Sequence, residues 1–339
     1  MRASFARILY SVGVLQLIFH LRLRNRAIVL MYHRVVSRED REFISSHPGI
    51  IVDTDAFEKH LGWLRKHFDV VSLSEFKERM ISRRHFQEPT CLITFDDGWQ
   101  DNFCQAFPLL ERYGLPAVIF LPVGFIGTKK RFWQEYLTHS LFQALLSSDG
   151  EKHLGCEKIF EKLGLDRSLL TPDEVGKVKI QKSISQAKTF SDEELGNLIS
   201  ETHKVIDRQS KYKENFDTFL SWEQVKRMAG DRINFGSHTV NHKILTKIPF
   251  EQVQKEVRLS KLVLENQLGD ETIAFSYPNG NYNAEVKKIV ISNGYQLAFS
   301  TEPGLVSPED DAFTIKRINV HQEGAPSIPL LLARILGIF

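Results

Sequence analysis

The chain has 339 residues, enough for one large α/β domain with insertions or for two modest domains. Hydrophobic residues make up 42% and charged residues 25%, which excludes a fibrous or disordered chain. With 44 basic against 42 acidic residues the net charge is +2, too weak a field to mark nucleic acid as a partner.

An apolar stretch opens the chain, Ile8 to Leu21, with Arg2 and Arg7 before it and Arg22, Arg24 and Arg26 after it. A spanning helix needs about 20 apolar residues. This stretch is shorter, is interrupted by Gln16 and His20, and runs into no small-residue cleavage site. Residues 1–26 therefore read as an amphipathic helix, packed on the domain or lying on a membrane surface with its arginines at the headgroups. An uncleaved anchor is the third reading. The expected location is cytoplasmic or inner-membrane-associated. Apolar residues 326–339 predict a C-terminal helix that packs beside the first one or adds to the same contact.

From Ala27 onward, short apolar runs rich in β-branched residues alternate with segments of helical period. Predicted strands are Ala27–His33, Val70–Leu73, Cys91–Phe95, Pro116–Leu121, Ile233–Gly236, Thr272–Ser276, Gln296–Ser300 and Phe313–Val320. Between them lie predicted helices at Asp55–Phe68 (N-cap Thr54), from about Ser74, and at Phe103–Tyr113, Trp222–Met228, Phe250–Leu268 and Ala284–Ser292. Apolar strands separated by helices imply parallel strands covered on both faces. About seven such units suggest a (β/α) barrel with its site at the strand C-terminal ends; an open doubly wound sheet is the alternative. The main domain spans 27–325. Residues 126–221 depart from the rhythm and read as a helical insertion, charged at Lys129–Arg131, Glu151–Lys152 and Glu214. The early insertion cluster Phe132, Trp133, Glu135 and Tyr136 reads as a hydrophobic anchor or as a platform for sugar rings.

Cys91, Cys104 and Cys156 are odd in number and lack CxxC spacing, so they suggest neither a disulfide frame nor a zinc knuckle.

Three strand-end clusters carry chemistry. Asp96 and Asp97 follow the apolar strand ending in Phe95, and adjacent carboxylates repel unless a cation takes one and leaves the other to accept a proton. His238 and His242, four apart, fall on one face if the segment is a helical turn, where both rings reach one metal. Asp97, His238 and His242 together have the ligand count of a catalytic zinc-type site. Zn2+ is the expected metal, with Co2+, Ni2+ or Mn2+ as alternatives. The turn Tyr277-Pro278-Asn279-Gly280 is suited to aim a backbone N–H, that of Asn279, at a developing oxyanion.

Thr94-Phe-Asp-Asp-Gly98, His238-x-x-x-His242 and Tyr277-Pro-Asn-Gly280, in this order, resemble the first three motifs of the polysaccharide deacetylases, carbohydrate esterase family 4. Met31-Tyr-His-Arg-Val35 and Leu220-Ser-Trp-Glu to Thr239 resemble the bacterial branch tied to exopolysaccharide synthesis. The resemblance covers about Ile28 to Val320 outside the insertion. It implies a distorted (β/α)7 barrel, a metal on Asp97, His238 and His242, Asp96 as general base, and an N-acetylated glycan substrate. Two departures stand out. Ser276 occupies the place of the family's motif arginine, so Arg317, on the last predicted strand, is the candidate to reach Asp96 from elsewhere on the rim. The family's general-acid pattern is missing in its usual form, which leaves His33, at the C-terminal end of the first strand, and His321, after the last. His33 is preferred because some exopolysaccharide-linked members supply the group from this Tyr-His. The expected activity is metal-dependent removal of an acetyl group from an amino sugar of a polysaccharide or lipid-linked glycan. The rivals are hydrolysis of another C–N bond, such as a cyclic amide, on the same scaffold, and a silent carbohydrate-binding module.

Overall fold

The structure, a computed structural model, describes residues 2–40, 46–83, 85–146, 157–166, 168, 170–171, 173–207, 219–230 and 232–339. Cys156, Glu151, Lys152 and Glu214 lie outside the described residues.

The chain starts as two helices, not the single one expected: α1 (Arg2–Ser11) and α2 (Val14–Arg22), bent by 81°. Gly13 makes the break, with φ +79 in the left-handed region that only glycine adopts without penalty. The next elements are β1 (Ala27–Tyr32), α3 (Thr54–His67) and α4 (Leu73–Ile81). Asp53, not Thr54, caps α3 by accepting the Asp55 N–H, and Ser72 with Glu75 forms a capping box on α4. Then come β2 (Thr90–Phe95), α5 (Phe107–Tyr113) and β3 (Ala117–Leu121). The helices α6 (Trp133–Leu146), α7 (Glu174–Gln186) and α8 (Asp192–Thr202) interrupt the alternation. It resumes with α9 (Trp222–Met228), β4 (Ile233–Ser237), α10 (Phe250–Leu268), β5 (Ala274–Ser276), α11 (Ala284–Ser292), β6 (Leu297–Phe299), β7 (Ile318–Asn319) and α12 (Ile328–Ile335).

All neighbouring strands of the main sheet pair in parallel, in the order β7-β1-β2-β3-β4-β5-β6. Leu30 pairs with Ile318 and Phe299 bridges to Ile315, so the last strand lies between β6 and β1 and the sheet curls round on itself. This is the (β/α)7 barrel and not the open doubly wound sheet. Every residue of β1 and β2 is buried, as fully apolar parallel strands require. One core cluster joins Val29, Leu92, Val118, Phe120 and Phe299 of the strands to Phe76 of α4. A second seats Val257 of α10 and Val286 and Val290 of α11 on Phe275 and Ala298. Parallel pairing sends every strand's C-terminal end to one rim, where the chemistry-bearing residues stand.

Contacts divide the chain into two compact units: Met1–Arg41, Pro48–Lys129 and Asp217–Phe339 form the barrel unit, and Glu42–His47 with Lys130–Phe216 form the other. The second unit has its own core, including Leu137, Leu141, Phe160, Ile180 and Leu198. Trp133 and Tyr136 pack against that core. Within the same unit, buried Glu135 accepts the Ser46 hydroxyl at 2.7 Å, and Gln181 Nε2 donates to the Ser46 carbonyl at 2.7 Å.

Candidate metal and catalytic centre

β2 ends at Phe95, and the chain then turns sharply through Asp97 (φ 76) and Gly98 (φ 63). A left-handed non-glycine residue costs on the order of 1 kcal/mol or more, so the surroundings must hold Asp97 in place. A Cβ on Gly98 would lie 2.5 Å from Leu121 Cδ2, so only glycine lets the turn sit this close to β3.

His238 follows β4 directly. The segment to His242 is a loop, not the helical turn expected, with positive φ at Thr239 and His242. The reason lies in its hydrogen bonds. Buried Glu256 of α10 accepts the N–H of Val240 and of Asn241 through Oε2, at 2.8 Å each, and the Asn241 side chain through Oε1 at 2.7 Å. The loop carbonyls of Thr239 and Val240 accept from Val123 and Gly124 beyond β3. With these groups satisfied by neighbours, the loop has no need of helical bonds.

The imidazoles reach Asp97 by this route. Asp97 Oδ1 lies 3.6 Å from His238 Nε2 and 3.3 Å from His242 Nε2, and the three donor atoms lie within 4.8 Å of one another. His238 Nδ1 donates to the Ser276 carbonyl at 2.7 Å, which turns its Nε2 lone pair toward Asp97. Burial lowers the His238 pKa to about 4, so the ring is neutral, as a metal ligand must be. Asp97 Oδ1 is buried and makes no directed hydrogen bond, while Oδ2 accepts Trp99 Nε1 at 3.1 Å. Burial pushes the Asp97 pKa up, but the imidazoles, His242 foremost, more than reverse this and keep the carboxylate ionised. Donors of one tetrahedral zinc, bonded at about 2.0–2.1 Å, sit about 3.3 Å apart. One carboxylate oxygen and two imidazole nitrogens at these separations fit such an ion.

Asp96 faces Arg317, which is fully buried. Nη1 donates to Asp96 Oδ1 and Nη2 to Oδ2, each at 2.7 Å. Arg317 also donates to the Ser300 carbonyl at 2.8 Å and to Ser276 Oγ at 2.9 Å. Ser276, where the arginine of the resembled motif would stand, thus holds the arginine that comes from elsewhere. Burial would raise the Asp96 pKa, but Arg317 reverses the effect and holds it below the ordinary carboxylate value.

His33 follows β1, and its Nδ1 is buried without a hydrogen-bond partner. Burial lowers its pKa, and the charges of Asp97 and Asp96 oppose that shift. Its backbone is fixed from both sides: Asn102 Nδ2 donates to the His33 carbonyl at 2.8 Å, and Asp101 accepts Arg34 Nε at 2.7 Å and the Val35 N–H at 2.9 Å. The Arg34 guanidinium lies 4.5 Å from the Trp99 ring centroid. The structure therefore gathers Asp96, Asp97, His238, His242, His33 and Arg317. His321 follows β7, where its carbonyl accepts the N–H of Gly324 and Ala325. Asn279 sits in the exposed turn after β5 with φ 57. Glu256 and Trp99 went unnoticed in the sequence. Trp99 had a signal in its position two residues after Asp97, whereas Glu256 resembles any polar residue of a surface helix.

A sequence profile described as polysaccharide deacetylase matches residues 83–146 and 195–298. A Bacillus subtilis protein named as a polysaccharide deacetylase, YxkH, is 26% identical over 293 residues, 86% of this chain and 70% of that protein. A poly-beta-1,6-N-acetyl-D-glucosamine N-deacetylase of Staphylococcus epidermidis is 23% identical over 308 residues, 88% of this chain and 81% of that one. Among solved structures, the Streptococcus pyogenes deacetylase PplD in complex with acetate superposes with a TM-score of 0.60 at 19% identity, covering 92% of this chain and 99% of that one. IcaB from Ammonifex degensii gives 0.58 at 19% identity, covering 91% and 97%. At these identities the two structures speak for the fold alone.

Proposed function

The chain belongs to the polysaccharide deacetylase family, and we propose that it is a metal-dependent enzyme removing the N-acetyl group of an amino sugar in surface or exopolysaccharide biosynthesis. The observation that carries this reading is the meeting of Asp97, His238 and His242 beside an Asp96 clamped by Arg317. The likeness to the Staphylococcus epidermidis enzyme supports a polymeric or lipid-linked glycan rich in N-acetylglucosamine.

In this proposal Asp97, His238 and His242 hold the metal, with Zn2+ favoured by two imidazoles and one carboxylate. When bound, the ion supplies Lewis-acid polarisation of the acetamide carbonyl and acidifies a water molecule. Asp96, kept ionised by Arg317, takes one proton from that water as its oxygen bonds to the acyl carbon. The N–H of Asn279 is the proposed donor to the developing oxyanion. As the C–N bond breaks, His33 gives a proton to the leaving nitrogen, and acetate and a free amine result. For this His33 must carry a proton at that moment: burial works against it, and the nearby carboxylates work for it.

The substrate class is tested by comparing acetate release from oligomers of N-acetylglucosamine with hydrolysis of small cyclic imides and ureides. Release from the oligomers supports the proposal. Turnover of the cyclic amides alone assigns the scaffold to another C–N bond, and oligomer binding without any release assigns it to a silent carbohydrate-binding role.

A further inference from the structure

The first 38 residues hold seven arginines and no acidic residue; Glu39 is the first. In a chain whose charges otherwise nearly balance, this is a marked local excess. α1 and α2 bury one side: Ala6, Leu15, Phe19 and Leu23 are covered, and the Phe19 ring meets Trp63 at 6.0 Å and Phe68 at 5.3 Å edge to face. Packing accounts for these residues, and partly for Leu9, Tyr10 and Ile18.

The opposite side is also apolar. Phe5, Ile8 and Val12 recur at i, i+3 and i+7 on α1 and the turn after it, and Val14, Leu17 and Leu21 repeat that spacing on α2. They are 51%, 60%, 65%, 37%, 61% and 71% exposed in that order. Phe339 extends the patch, its ring 6.3 Å from that of Phe5. Half of the 14 exposed large hydrophobic residues among those described therefore gather at this one place. Scattered single residues would need no explanation, but an exposed apolar stripe on each of two adjoining helices does.

We infer that α1, α2 and Phe339 form a docking surface for an anionic lipid bilayer. The apolar stripes enter the boundary between headgroups and acyl chains, and exposed Arg2, Arg7, Arg24 and Arg26 meet lipid phosphates. Charge selects this occupant. A second copy docking through the same face would set two arginine-bearing helix pairs, neither holding an acidic residue of its own, against each other, whereas an anionic bilayer complements both the charge and the apolar stripe. Among the described residues no single helix is long and apolar enough to cross a membrane, and α1 with α2 reaches that length and composition only as a pair bent by 81° at Gly13. This inference stands apart from the catalytic reading, which assigns these helices no role.

The test is sedimentation of the full chain with vesicles of phosphatidylglycerol and phosphatidylethanolamine, against pure phosphatidylcholine vesicles. Binding is expected to the anionic vesicles only, weakening as salt rises. Leu17→Glu with Leu21→Glu is expected to weaken binding roughly tenfold or more through lost apolar burial. Arg24→Glu with Arg26→Glu is expected to do so through charge. Ile291→Glu, at an exposed position of α11, should leave binding unchanged. Circular dichroism and metal content report whether each variant is folded. Failure of the folded chain to bind anionic vesicles would overturn the inference, as would binding by both double variants undiminished from that of the unaltered chain. Light scattering that shows a dimer lost in Leu17→Glu/Leu21→Glu would give the surface to a second copy instead.

Discussion

Arg317 and Asp96, 221 residues apart in the chain, share two parallel hydrogen bonds of 2.7 Å in a site closed to solvent. Removing one partner of such a buried pair leaves an uncompensated charge and costs about 3–5 kcal/mol. Arg317→Met should therefore lower stability by that order and nearly abolish activity while metal is retained. Arg317→Lys keeps the charge but loses the fork, so an intermediate rate is expected. The sign of the pH effect follows from the shift. Arg317 holds the Asp96 pKa down, so weakening it moves the acid limb of the rate profile to higher pH. An unmoved acid limb in Arg317→Lys would separate Asp96 from the proton transfer.

The metal ligands and the base are expected to part company under substitution. Asp97→Ala and His238→Ala should lose bound metal and activity together, whereas Asp96→Asn should keep the metal and lose turnover. Metal analysis of the purified variants decides this, and an Asp97→Ala protein that still holds a full equivalent would remove Asp97 from the ligand set.

Two histidines compete for the role of acid. His33 feels the charges of Asp97 and Asp96 directly, so His33→Ala should depress kcat more than His321→Ala, by roughly 100-fold or more if it donates the proton. Steady-state kinetics on one oligomer suffices, and the reverse order would transfer the role to His321.

His60 offers a test away from the site. It is fully buried between the Tyr32 hydroxyl and the Ala325 carbonyl, and burial lowers its pKa from 6.5 to about 4. The unfolded chain therefore binds a proton that the folded chain refuses. The neutral ring's full contribution is present above pH 6.5 and is lost as pH falls from there toward about 4, for a total of roughly 3 kcal/mol. Urea unfolding at several pH values should show stability rising with pH across this window. In His60→Asn that slope should be shallower; an unchanged slope would contradict the assignment.

Much of the centre was legible because its residues follow apolar runs. Asp96, Asp97 and His238 come at once after strands that pattern alone identifies, and parallel strands bring such ends to one rim. What stayed hidden depends on closure. Arg317 could only be named as a candidate, since its reach to Asp96 follows from the last strand lying between β6 and β1, which no local spacing reveals. The four-residue spacing from His238 to His242 fits a helix, and the carboxylate that prevents one, Glu256, arrives from α10. The single amphipathic helix became a bent pair for a local reason, Gly13, whose permissiveness reads in sequence only as a weak helix former.

The central claim, that Asp97, His238 and His242 make this chain a metal-dependent deacetylase, is tested most directly by acetate release from N-acetylglucosamine oligomers before chelation, after chelation and after Zn2+ is restored. The account predicts release that disappears with the chelator and returns with the metal. Release that persists at full rate in protein shown to be free of metal would contradict it.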